Sequence, residues 1–148
     1  MRHAVIAAVA APQLVFASPT HAEEVVRDSA AWPIAQALIA NERTAWDAYA
    51  RRDGAAPDLL SSDYVDLLPG GEINDRAGHL AAIAEADLPS YSLDGFRVMR
   101  LSVDAMRVTY AVDWAYSTGE TERVAVTSGG ALRDGQWLNA SYRETPLA

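Results

Sequence analysis

Met106-Arg107-Val108-Thr109-Tyr110-Ala111-Val112-Asp113-Trp114-Ala115-Tyr116 places six large apolar residues at consecutive even positions, with smaller or polar residues between them. A period of two sustained over this stretch predicts a long strand with one buried face. Working outward, Phe96 to Val103 reads as a preceding strand turned back near Asp104-Ala105. Arg123 to Leu132 and Gln136 to Arg143 read as two following strands, and Asp134-Gly135 between them is a strong hairpin signal. The strand over 106–116 is too long to lie flat in a small sheet. It should bend, and a bent sheet closed by helices encloses a pocket.

The residues upstream supply those helices. Pro33 suits a first helical turn, and Ile34, Leu38, Ala45 and Tyr49 recur at helical spacing through Arg52, where Asp53-Gly54 ends the pattern. A short helical turn carrying Leu59 and Leu60 is expected next. Asp63 to Leu68 reads as a strand and Pro69-Gly70-Gly71 as a turn. Asn74 or Asp75 caps a second helix with Ala77, Leu80, Ala81 and Ala84 on one face, closed by Leu88-Pro89. Helices followed by a meander of strands predict an α+β domain with the helices packed on one sheet face.

Composition excludes whole classes of chemistry. The chain has 148 residues, enough for one domain with a real core. It has no Cys, which removes thiolate nucleophiles, disulfides and Cys-ligated metals. It has no Lys either, so Schiff-base chemistry is excluded. The first 22 residues differ from the rest: Arg2 and His3, an apolar run from Ala4 to Ala11 continued by Leu14 to Ala17, then Ser18-Pro19-Thr20-His21-Ala22. That is the order of a secretory signal with cleavage after Ala22, or after Ala17, and it implies a periplasmic or secreted protein. The apolar stretch is broken by Pro12 and is shorter than the roughly 20 residues of a membrane span; no other segment reads as a span. Residues 23–32 read as a flexible lead-in and 33–148 as the domain.

Cleavage would remove Arg2 and no acid, leaving eleven Arg against twenty Asp and Glu, a net charge of −9 where the full chain has −8. Such a domain repels phosphate backbones and anionic membranes, so nucleic acid is not expected as a partner. His79 is the single histidine beyond the signal. No multi-His metal site can be built, and no metal or cofactor is expected.

Several strings, in this order, resemble the SnoaL-like branch of the nuclear transport factor 2-like superfamily, in particular its bacterial domains of unknown function. They are Ala45-Trp46-Asp47-Ala48-Tyr49 with Arg52-Asp53, Leu60-Ser61-Ser62-Asp63-Tyr64, Asp75-Arg76, Arg133-Asp134-Gly135-Gln136-Trp137, and Tyr142-Arg143-Glu144-Thr145-Pro146. The resemblance covers roughly Ile34 to Leu147 and implies a cone-shaped α+β fold, with helices over a curved antiparallel sheet of four to six strands. The superfamily holds ketosteroid isomerases, polyketide cyclases, epoxide hydrolases, dehydratases and non-catalytic binding or assembly domains, so the fold does not choose among them. Ketosteroid isomerases carry a general-base Asp directly before the Pro of their corresponding strand, where this chain has Leu68. Their helix-borne Tyr falls at Ala45, and no acid stands in the 124–128 stretch.

Trp46, Tyr49, Tyr64, Tyr110, Trp114 and Tyr116 are expected between helix and sheet, as pocket wall or as ordinary core. Counted back from the Asp134-Gly135 turn, Arg143 should face Val126 and point inward with Val112 and Trp114; a shift of one residue would turn it to solvent. His79, off the apolar stripe of its helix, reads as a solvated residue. Turned inward, it would be the one side chain titrating near neutrality. Asp66 reads as solvated or, if buried, as a general base. Three functions follow. The first is an exported domain binding a small, mostly apolar molecule. The second is a cofactor-independent isomerase, cyclase or dehydratase working through Asp66 or His79. The third is a self-association module. A homodimer through the outer sheet face, rich in Thr, Ala and Ser, is expected.

Overall fold

The computed structural model describes residues 31–54 and 58–147. The signal read over residues 1–22 lies outside the described residues, as does the lead-in as far as residue 30. Helix α1 (Trp32–Arg51) begins inside the stretch read as lead-in. Pro33 stands in its first turn, and Ala35 N–H donates to Ala31 O at 3.0 Å. The helix stops at Arg52, which takes the left-handed conformation (φ 57°) and turns its N–H to the Ala48 and Tyr49 carbonyls.

Six strands and a second helix follow: β1 (Leu60–Leu67), β2 (Ile73–Asp75), α2 (Arg76–Glu85), β3 (Ser90–Arg100), β4 (Ala105–Ala115), β5 (Thr121–Arg133) and β6 (Gln136–Pro146). Asp75 caps α2, its carboxylate accepting from Gly78 N–H at 2.9 Å. Leu59 stands in a turn, whereas Leu60, expected in that turn, opens β1. Strand β3 starts six residues before the expected Phe96, because a register shift between Asp94 and Arg97 interrupts the period-two pattern that marks a strand.

The strands form one curved sheet in the order β2-β1-β6-β5-β4-β3, helices on one side, giving the α+β cone. Its pairs are antiparallel except β1 with β6, which run parallel, so the sheet is mixed rather than antiparallel throughout. Met106, Val108, Tyr110, Val112 and Trp114 of β4 are buried, and the alternate residues are half-buried on the outer face. Each such apolar side chain contributes about 1.5–3 kcal/mol by burial, so this face with α1 is the main source of stability. Trp46 stacks on Trp114 (centroids 5.6 Å, planes 26° apart) and Phe96 on Tyr110 (4.7 Å, 28°).

Two adjacent glycines let α1 settle on the sheet. A Cβ on Gly130 would meet both Leu38 methyls at 2.7 Å, and one on Gly129 would collide with Ser141 Oγ. At this pair the β5–β6 register moves by one: Gly130 faces Asn139, Gly129 faces Ser141, and Ala140 is left without a partner.

One acid lies in the core. Glu42, 2 % exposed, follows Ala35 and Leu38 on the buried stripe of α1. Tyr110 O–H donates to its Oε2 (2.7 Å), Asn139 Nδ2 donates to Oε1 (2.9 Å), and Trp46 Nε1 donates to the Tyr110 oxygen (2.8 Å). All three are neutral groups. Burial raises the Glu42 pKa above its ordinary 4.5, against these hydrogen bonds and the nearby His79, which lower it. A raised folded pKa gives stability that is complete at low pH and lost as pH climbs through the folded value. Glu42→Gln should therefore flatten the fall of Tm on going from pH 4.5 to pH 8; an unchanged slope would refute this. Glu42→Ala should lower Tm throughout, since it strands two buried donors at about 1–3 kcal/mol each.

Candidate functional site

One turn beyond Trp46, α1 presents Tyr49 to the part of the cone closed by α2, β1 and β6. Alternation along β1 turns Tyr64 and Asp66 inward, both buried. The Asp75 cap starts α2 so that His79 comes one turn later against them, 2 % exposed. His79 is thus an interior residue and not the solvated one its place off the Ala-Leu stripe predicts. The reason is that α2 buries His79 with Ile83, a side of the helix where the imidazole alone interrupts small and apolar residues.

His79 Nδ1 lies 3.2 Å from Asp66 Oδ2, and the imidazole N–H donates to the carboxylate. The hydroxyls of Tyr64 and Tyr49 each stand 3.4 Å from Nδ1. The Tyr64 ring lies against the imidazole (4.8 Å between centroids), and Tyr49 meets it edge-on at 5.6 Å. Burial raises the pKa of both phenols, with the Asp66 charge acting in the same direction, so both keep their protons.

Asp66 and Tyr49 border a cavity of about 90 Å³, closed also by Leu67, Leu68, Pro69, Asn74, Ala82, Tyr142 and Glu144. His79 stands behind Asp66 and does not line it. Tyr142 O–H donates to Glu144 Oε1 at 2.8 Å. Burial raises the Glu144 pKa, and the neighbouring Asp66 charge adds to that, against the Tyr142 bond. The site therefore holds a carboxylate fixed by an imidazole, two phenols, and a second carboxyl biased towards its protonated form. Among the described residues no three His, Asp or Glu side chains converge as a metal-ligand set, and none of the helices is long and apolar enough to cross a membrane.

The expected aromatic set divides. Tyr49 lines the cavity and Tyr64 packs on His79, whereas Trp46, Tyr110 and Trp114 belong to the closed core. Arg143 is exposed and pairs with Thr127 on the outer face; the shift at Ala140 puts Glu144 opposite Val126 in its stead. Glu42, Tyr142 and Glu144 have no place among the residues singled out from sequence. Glu42 left one signal, an acid falling on a helix stripe otherwise filled by Ala35, Leu38 and Trp46.

No protein-family model and no curated protein matches the chain by sequence. Solved structures do match it in three dimensions. A nuclear transport factor 2-like protein from Cytophaga hutchinsonii superposes with a TM-score of 0.65 at 17% identity, over 76% of this chain and 97% of that one. The chain has the nuclear transport factor 2-like fold. Two further structures with this fold differ in kind. LinA matches at a TM-score of 0.61 and 16% identity, over 79% of this chain and 92% of its own. The association domain of CaMKII from Caenorhabditis elegans matches at 0.61 and 14%, over 77% and 96%. At these identities the likeness concerns the fold, and the site has to be read from its own residues.

The facing of β6 can be measured directly because the chain has no Cys. Arg143→Cys should react with a thiol reagent at nearly the rate of a free thiol, and Glu144→Cys at least about tenfold more slowly. The opposite order would reverse the register.

Proposed function

We propose that this protein is an exported, cofactor-independent enzyme that moves a proton on a small molecule, as isomerases and dehydratases do. The observation that carries the reading is a buried carboxylate, Asp66, held by a buried imidazole and set in the wall of a cavity. A general base needs its lone pair aimed at the substrate and its orientation fixed, and His79 supplies the second of these as a positioning residue.

In the proposed reaction Asp66 takes a proton from carbon next to a carbonyl in the cavity. The electrons move to the carbonyl oxygen, which is met by Tyr49 O–H or by the Glu144 carboxyl, a donor only when it carries a proton. Asp66 then returns the proton to a second carbon, giving an isomer. Alternatively, the enol expels a hydroxyl at the β-carbon, giving a dehydration product and water. This is the chemistry of one base and two donors. Here it is assembled from residues other than those whose absence at Leu68 and Ala45 argues against an isomerase. With deuterium oxide as solvent, a small ketone should exchange its α-hydrogens in the presence of the protein. Asp66→Asn should slow that exchange by at least about 10²-fold, and Tyr49→Phe should slow it with little change in ketone affinity. Equal rates with and without protein would sink the reading.

Binding without turnover uses the same cavity and is the outcome left if a ketone binds but does not exchange. A second copy is proposed to cover the outer face, where Val65 (44 % exposed) and Ile73 (70 %) flank an apolar hollow of about 340 Å³. Export rests on the signal pattern over residues 1–22. Native mass spectrometry of the secreted product should give twice the mass of a chain beginning at Glu23. A chain retaining Met1 would count against export, and a monomer against the dimer.

A further inference from the structure

We infer that the portion of substrate held in the cavity is an uncharged carbonyl group on a short carbon frame, and that carboxylates and phosphates of the same size are refused. This rests on the cavity beside Asp66 being the reactive site. Its volume is about 90 Å³, well below the roughly 300–1,000 Å³ of pockets that enclose drug-sized ligands.

The charge class follows from what lines the cavity. Among the described residues its polar side chains are Tyr49, Asp66, Asn74, Tyr142 and Glu144, with no cation among them. Arg143, next in sequence to Glu144, lines an adjoining outer groove of about 290 Å³ that shares Leu67, Leu68, Pro69 and Glu144 with the cavity, and it does not line the cavity itself. An anion in the cavity would thus sit beside Asp66, with the His79 imidazole behind that carboxylate and outside the lining, and low local polarity strengthens the repulsion.

The hydrogen bonds exclude the opposite class. His79 Nδ1–H is given to Asp66, so that nitrogen cannot accept the Tyr49 proton, although the two atoms lie 3.4 Å apart. The Tyr49 O–H is left for the cavity and calls for an acceptor on the ligand. An ammonium has none; a carbonyl oxygen has two lone pairs. The ligand must also leave Asp66 without a partner beyond His79, since a base that gave its remaining lone pairs to an ammonium would lose its use.

Four compounds of similar size separate the classes: butanone, propionate, pyruvate and propylammonium, each titrated at neutral pH and low salt with ligand-observed NMR. Butanone should bind at least about tenfold tighter than propionate or pyruvate, and also tighter than propylammonium. Its margin over the anions should shrink in Asp66→Asn. The same margin should shrink in the wild-type protein as salt is raised, a readout that holds if the variant fails to fold. Pyruvate or propylammonium binding as well as butanone, or no compound binding, overturns the inference. Butanone preferred but without α-deuterium exchange upholds the ligand class and removes the enzyme reading; pyruvate exchanged by the protein does the reverse.

Discussion

The contact of Leu38 and Ser141 with the Gly129-Gly130 pair is the constraint on which the rest of the structure depends. Side chains there would collide with a buried helix residue on one side and with the neighbouring strand on the other. Both elements therefore come close at this point, and β6 yields by one residue at Ala140. Because side chains alternate along a strand, one extra residue exchanges the two faces for everything that follows. Asn139 points inward before the shift, and Tyr142 and Glu144 do so after it, while Arg143 goes to the outer face. The character of the cavity, two carboxyls and no cation, descends from that step.

A second consequence is the division of the cone. Trp46 stacks on Trp114 and hydrogen-bonds Tyr110, and Tyr110 in turn bonds Glu42. That assembly fills the body of the cone, and the cavity lies at the end where Tyr49, Asp66 and Glu144 meet. A hydrogen-bonded core of this kind is costly to leave half-satisfied, which ties the position of α1 to β4 and β6 and so holds Tyr49 in place. His79 and Asp66 sit just beyond it, on α2 and β1, two elements with only β2 between them in the chain and bonded through their side chains. The same buried setting that gives the site its geometry also shifts its acids: burial raises the pKa of Glu42 and of Glu144.

The likeness to structures as different as LinA and a kinase association domain indicates how little the cone itself specifies. What distinguishes this chain is a handful of side chains at one end. The closed aromatic centre argues against a large apolar ligand in the body of the cone, and the small polar cavity favours a compact molecule that accepts hydrogen bonds.

The sequence by itself determined the class of fold, the long strand of β4, the two helices with the Asp75 cap, and the hairpin at Asp134-Gly135. Those are local matters of periodicity and turn chemistry, legible because each repeats or is confined to a few residues. It also determined what the site could not contain, since a chain without Cys or Lys and with one His after residue 22 leaves few chemistries. Only the tertiary structure decided that β1 runs parallel to β6, that His79 turns inward onto Asp66, and that Glu144 rather than Arg143 faces the interior. The physical reason is common to all three. They depend on where α1 and the strands come into contact, on a one-residue offset at two glycines, and on the burial of single polar side chains, and none of these leaves a periodic trace in the chain.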